Sequence, residues 1–241
     1  MGTLFGQSGL SRSRRPRSWG RRIATWLAQG IALFLGASLF FVVLYKWVPV
    51  PVTPTMIMDP NGFTKNWTRL SQIDRNMVAA VIAGEDSKFC SHNGFDTRAI
   101  EQAWERNQRG GRIRGGSTIS QQTAKNVFLW QGGGYFRKAL EAWFTVLIEQ
   151  VWGKRRIMEV YLNVAETGIG TYGVEAGAQR YYNHSAARLS PVEAARIAAA
   201  LPAPKRREVV GVSGFTRRHG NVIARRSSVV RQSDYDACVY D

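Results

Sequence analysis

Glu85 and Asp86 close an apolar stretch and precede Phe89 and His92, so at least one carboxylate can sit at the mouth of a cleft backed by a hydrophobic wall. Such a wall raises a carboxyl pKa toward the range useful to a general acid or base. Glu141 is the second candidate, because Leu140, Trp143 and Phe144 would bury its helix and Arg137 and Lys138 lie one turn before it. Two carboxylates with a cleft between them suit glycosyl chemistry, in which one group handles a proton and the other a nucleophile, a developing charge or a metal. His92 can orient a carboxylate or a loop, or bind a metal; Cys90 is not read as a nucleophile.

The cations carry as much information. Arg114, Lys125, Arg137 and Lys138 are separated by the polar side chains Ser117, Thr118, Gln121, Gln122 and Asn126. Gln121 and Lys125 are four residues apart, so a helix presents an amide and an ammonium on one face. That set suits a diphosphate flanked by sugar hydroxyls, since arginine offers a planar fork and lysine a compact charge. The plainer alternative is a surface ion pair for Arg137 and Glu141 and a polar helix face for Gln121 and Lys125. No phosphate-binding G-x-x-x-x-G-K-[ST] loop, zinc spacing, G-x-S-x-G elbow or dinucleotide fingerprint offers a rival cofactor.

The elements that must position these groups are helical. RLSQIDRNMVAAVIAGEDSKF carries Met77, Val78, Val81 and Ile82 at helical spacing, with Ser71 as the cap and the stripe ending at Gly84. A second helix is expected from Ser117 to Phe128, entered from a Gly/Arg loop at 109–116, and others over 136–151 and 154–163. Ser190-Pro191-Val192-Glu193 gives a capping box with proline at the first helical position, opening a helix through Ala200. Pro49 to Pro60 holds four prolines and reads as a stiff, extended stalk with a turn at Asp59-Pro60-Asn61-Gly62. No run of alternating strands could build a sheet of size, so a mainly α-helical domain is expected.

The chain has 241 residues and a formal charge of +16, with only Cys90 and Cys238 as cysteines. That excludes a framework of several disulfides and leaves open whether these two pair. Six of the arginines stand in residues 1–22 with no acid, a tail that cannot form a core. From Ile23 to Tyr45 there is no formal charge, which as a helix is about 35 Å long and enough for a bilayer core. The run is longer than a signal-peptide core and continues into Tyr45, Lys46 and Trp47, so a retained anchor is expected. The arginine block before it places the amino terminus in the cytoplasm. Residues 46–241 keep 27 basic against 17 acidic side chains on the side where chromosomal DNA is absent, and show no finger spacing or aromatic–basic stacking pattern, which argues against a nucleic-acid partner. Between 205 and 231 eight residues are basic and only Glu208 is acidic, which fits a solvated helix surface or contact with lipid headgroups.

EDSKFCSHNGFD (85–96), GGSTISQQTAKNVFLW (115–130), RKALEAW (137–143) and KRRIMEVYLNVAETGIGTYGVEAGAQRYY (154–182) resemble, in order and spacing, the motifs of the family 51 glycosyltransferases. The resemblance covers roughly residues 40–230 and is greatest to the monofunctional members, which correspond to the glycosyltransferase half of bifunctional penicillin-binding proteins. It implies a lysozyme-like, mainly α fold with a small membrane-proximal lobe, preceded by one transmembrane helix. The expected divisions are 1–22 basic cytoplasmic tail, 23–48 transmembrane anchor, 49–62 extracytoplasmic stalk, 63–230 glycosyltransferase domain and 231–241 tail. A transpeptidase half is expected to be absent.

The resemblance further implies lipid II and a lipid-linked glycan strand as substrates, at the bacterial inner membrane with the catalytic domain in the periplasm. Glu85 would be the general base, and Arg114, Lys125, Arg137 and Lys138 would stabilise the departing diphosphate. Glu141 would be the second catalytic carboxylate, orienting those cations or holding a divalent cation, Mg or Mn; no organic cofactor is implied. Ser117, Thr118, Gln121, Gln122 and Asn126 would shape the cleft, and Asp86, Phe89, His92, Glu159, Tyr161 and Asn163 would support it. Membrane lipids, and cell-division or penicillin-binding proteins, are the candidate partners. The competing readings are a lysozyme-like hydrolase with Glu85 as acid, and a non-catalytic membrane-anchored scaffold.

Overall fold

The uncharged run folds within one helix, α1 (Trp19–Trp47, 29 residues), because its aliphatic and aromatic side chains leave no polar face to turn and a helix satisfies the backbone internally. It begins four residues before the expected anchor, and an 18-residue stretch of mean hydropathy 2.3 makes it the one helix among the described residues long and apolar enough to cross a membrane. The computed structural model describes residues 19–108, 116–211 and 214–240, without the side chains of 102–104, 106 and 107. The basic tail before Trp19, and the 109–115 run with Arg114, lie outside those residues.

Residues up to Phe40 form one unit and residues from Phe41 a second. In the second, α2 (Pro54–Ile57) is capped by Thr53 and starts on Pro54. The expected stalk is therefore not an extended spacer: Val50, Thr53 and Met56 are buried, and Asp59 accepts from the Asn61 backbone at 3.0 Å to set the turn. Helix α3 (Arg75–Glu85) is capped by Asp74 rather than by Ser71, which lies in a preceding 3-10 turn.

Met77 to Ala83 are all buried, as a helix that is apolar on every side must be. Its covers are α9 (Pro191–Ala200) and α10 (Gly214–Gln232), which also pack on each other. The alanines of α9 and the bare Gly84, where a Cβ would meet Ile223 Cδ1 at 3.0 Å, allow that close approach. The capping box of Ser190 and Glu193 is present as the sequence predicts.

After α4 (Thr97–Gln108) come the helices that frame the site with the end of α3: α5 (Ile119–Phe128), α6 (Gly134–Val151) and α7 (Gly153–Val164). Helix α5 packs on both α6 and α7. A small sheet of β1 (Thr64–Lys65), β2 (Glu166–Gly168) and β3 (Thr171–Tyr172), ordered β1-β3-β2, precedes α8 (Val174–Tyr182). Its two- and three-residue strands are too short to show a period of two, which is why alternation did not reveal them.

The end of the chain departs from expectation. Residues 231–240 are not a loose tail: Asp236 and Val239 are fully buried, a short α11 (Ala237–Tyr240) forms, and Cys238 is disulfide-bonded to Cys90.

Candidate active site

Glu85 is the last residue of α3, and Gln122 on α5 donates from Nε2 to its Oε2 at 2.9 Å. The amide oxygen of Gln122 accepts in turn from the Tyr161 hydroxyl of α7 at 3.3 Å. Three helices thus meet at one carboxylate. Burial pushes the Glu85 carboxyl above its ordinary range, and the Gln122 hydrogen bond and the positive field of Arg207 and Lys125 only partly offset it. A carboxyl so placed is a better proton acceptor than an exposed one.

Asp86 does a different job. It is buried, its Oδ2 accepts from the Ile119 backbone at 3.0 Å, and His92 Nε2 lies 3.0 Å from both its oxygens. The Gly94 backbone donates to His92 Nδ1 at 3.1 Å, so Nε2 carries the proton and points it at Asp86. His92 therefore orients a carboxylate. Gly94 has φ of 92°, and a Cβ there would meet Thr145 Cγ2 at 2.8 Å. Its carbonyl accepts from the Thr118 hydroxyl at 2.6 Å, which ties the 87–94 loop to the start of α5. Phe89, fully buried, packs edge-on to His92.

The expected cleft residues on α5 divide into two groups. Thr118 and Gln121 are buried in a reciprocal capping box, Gln121 N donating to Thr118 Oγ1 and Thr118 N to Gln121 Oε1. They fix the helix rather than face the cleft, because the cap consumes their polar atoms. Gln122, Lys125 and Asn126 line a cavity of about 560 Å³ together with Tyr161, Glu166 and Lys205. Among the described residues no side chain hydrogen-bonds to Lys125 or Asn126, so their donors face the cavity free. Burial lowers the Lys125 pKa, opposed by Glu141 and reinforced by Arg137 and Lys138.

Those last three form one cluster. Glu141 is 3% exposed; its Oε2 accepts from Arg137 Nη1 at 2.6 Å and its Oε1 from Lys138. Lys138 also donates to Ser117 Oγ at 3.2 Å. With both oxygens held by cations, Glu141 aims the two positive groups and is not a free acid or nucleophile. That donor set does not suit a protein-held divalent ion, and among the described residues no three His, Cys, Asp or Glu side chains gather to hold one. Glu159 and Asn163 are structural, Glu159 accepting from Leu70 N at 2.9 Å and Asn163 from Thr68 N at 2.7 Å.

Sequence reasoning missed Arg207, whose guanidinium donates to the Ala199 carbonyl at 2.6 Å and adds positive potential at Glu85. It also missed the cavity rim, where Lys205 Nζ lies 2.9 Å from Asp59 and 3.6 Å from Glu166. Hydrogen bonds from Lys205, Asn61 and Tyr172 overcome burial and hold Asp59 well below the usual carboxylate range. The only available signal was the basic run 205–207, too short to separate from a solvated surface. Glu85 itself lines a second cavity of about 760 Å³, together with Ser87, Lys88 and Ser91 and the α10 residues Arg226, Val229 and Val230.

Residues 54–233 match the family model described as transglycosylase. Three similar proteins are each called biosynthetic peptidoglycan transglycosylase. That of Caulobacter vibrioides is 47% identical over 215 residues, 87% of this chain and 94% of its own. That of Rhodospirillum centenum is 46% identical, over 92% of this chain and 96% of its own. That of Bdellovibrio bacteriovorus is 44% identical, over 93% and 94%.

Proposed function

The chain belongs to the transglycosylase family, and from that membership we propose how its site polymerises lipid II. The protein is a peptidoglycan glycosyltransferase. In the reaction proposed, Glu85 removes the proton from the 4-hydroxyl of the acceptor N-acetylglucosamine. That oxygen attacks the anomeric carbon of the lipid-linked strand, the C–O bond to the diphosphate breaks with inversion, and undecaprenyl diphosphate leaves. Base and leaving group must then stand on opposite faces of one carbon.

A single observation carries the assignment. Gln122, which holds Glu85, and Lys125, whose ammonium is free, are three residues apart on α5, about 5 Å along one rigid helix. The Arg137–Glu141–Lys138 cluster supplies further positive charge near Lys125, and side-chain cations aimed at developing charge cost no reorganisation during the reaction. A hydrolase working on glycan alone has no use for such a cluster.

Helix α1 serves as a single membrane anchor. With Arg21 and Arg22 at its start and Lys46 alone at its end, its amino terminus is cytoplasmic and residues from 48 onward are periplasmic. Anchor and polyprenyl substrates then share one plane, which raises their encounter rate. The decisive measurement is polymerisation of purified lipid II by the wild type and by Glu85→Gln side by side. Longer glycan with release of undecaprenyl diphosphate is expected from the first only. A Gln variant that polymerises at the wild-type rate would overturn the assignment, and shortening of mature glycan would favour a hydrolase.

A further inference from the structure

Cys90 sits in the 3-10 turn Phe89–Ser91, five residues beyond Glu85, and its sulfur is bonded to Cys238, 148 residues away. The segment that brings Cys238 there is itself pinned to the catalytic unit. Arg75, the first residue of α3, donates to both oxygens of the buried Asp236, from Nε at 2.8 Å and from Nη2 at 2.7 Å. Its guanidinium lies 5.1 Å from the Tyr240 ring centroid. On α7, Arg155 donates to the Val239 carbonyl at 2.9 Å. The end of the chain therefore grips both the start of the helix that bears Glu85 and the turn that follows it.

The cavity that Glu85 lines gives this a chemical meaning. Its lining includes Ser87, Lys88 and Ser91 on one stretch of chain and Arg226, Val229 and Tyr235 on another, and the disulfide ties the Cys90 turn of the first to Cys238, three residues beyond Tyr235. The Cys90 turn also runs directly into His92, which aims at Asp86. Opening the bond would free the turn that follows the base and leads into His92, the residue that orients the neighbouring Asp86.

We propose that the Cys90–Cys238 disulfide is a positioning element for the transfer reaction, so that full turnover requires the two thiols to be oxidised. The bond forms by thiol–disulfide exchange with an oxidising protein disulfide of the exported compartment. The two thiols lose two electrons and two protons, and the donor disulfide becomes a dithiol. The proposal rests on Glu85 being the base.

The test uses the full chain in detergent with lipid II. Oxidised enzyme is compared with enzyme reduced by a phosphine, thiol content being read by alkylation and mass, and with Cys90→Ser, Cys238→Ser and the double variant. Reduction and each variant are expected to lower kcat about tenfold, with KM for lipid II little changed, the acid limb of the kcat–pH profile displaced, and the variants indifferent to phosphine. Circular dichroism at the assay temperature fixes the folded fraction. A fully reduced, folded enzyme with unchanged kcat and pH profile would overturn the proposal, as would loss of activity merely in proportion to the folded fraction. If the oxidised wild type does not polymerise lipid II, the functional reading fails first; if it does and the reduced enzyme equals it, only this inference fails.

Discussion

The side-chain amide of Gln122 donates to Glu85 over 2.9 Å while its oxygen receives the Tyr161 hydroxyl, so one amide joins the ends of two helices to the middle of a third. The carboxylate it holds is destabilised by burial and steadied by that bond, and the balance of the two sets the pH range in which Glu85 is an effective base.

Glu85→Gln removes the proton acceptor and keeps the shape. Polymerisation should fall about 10²- to 10⁴-fold, the usual worth of a general base. Stability should not fall. Burial raises the folded-state pKa of Glu85, so its contribution to stability is complete below the unfolded value and is lost as pH rises through the folded one. The neutral amide escapes that loss, and the thermal midpoint at neutral pH is expected to equal or exceed the wild type's.

Gln122→Ala deletes a hydrogen bond that favours the charged form of Glu85, so the carboxyl pKa must rise further. The base works deprotonated. The acid limb of kcat/KM should therefore move to higher pH, because one charge-assisted bond to the carboxylate is lost. Activity at neutral pH should fall and recover as the pH is raised. A profile displaced downward would contradict the geometry.

Lys125→Ala and Glu141→Ala should fail in different ways. The lysine makes no hydrogen bond within the described residues, so its loss is expected to cost turnover and affinity for a diphosphate inhibitor while leaving the melting temperature within a few degrees. Loss of Glu141 leaves Arg137 and Lys138 facing each other without their shared partner, which should cost about 2 to 3 kcal/mol of stability as well as turnover. Chemical denaturation alongside inhibitor titration separates the two.

A chain beginning at Phe41 keeps the second unit and lacks most of α1. Its rate on lipid II in bilayers should fall much more than its rate in detergent micelles, because only the bilayer rewards confinement of enzyme and substrate to one plane. Equal losses in both media would mean that α1 supports the fold instead.

Periodicity and capping made the helices legible: the stripe Met77–Ile82 and the Ser190-Pro191-Val192-Glu193 signature each correspond to an observed element. The cap at Asp74 was misassigned to Ser71 because both precede the apolar run and only the fold decides which backbone amide is left unpaired. In the site, residue type pointed to Glu85, Lys125 and Glu141, but polarity alone could not say that Arg137 and Lys138 occupy both Glu141 oxygens, or that Thr118 and Gln121 form a capping box while Gln122, next along the chain, faces the carboxylate. The Thr-x-x-Gln spacing was present in the sequence and reads equally well as a helix start or as a cleft lining. Arg207, Lys205 and the Cys90–Cys238 bond depend on contacts across 100 residues or more, which no local pattern encodes.

Gln122 and Lys125 owe their common face to three residues of helical phase and to nothing else. One residue deleted between them would turn the ammonium about 100° around the axis, to the place of the fully buried Ala124, and shift it ~1.5 Å, leaving the base intact and its cationic counterpart aimed into protein. Along this stretch of α5, length is therefore less tolerant of change than composition: a substitution at the lysine weakens the transfer, whereas a single deleted codon severs the geometric relation between attacking and departing oxygens.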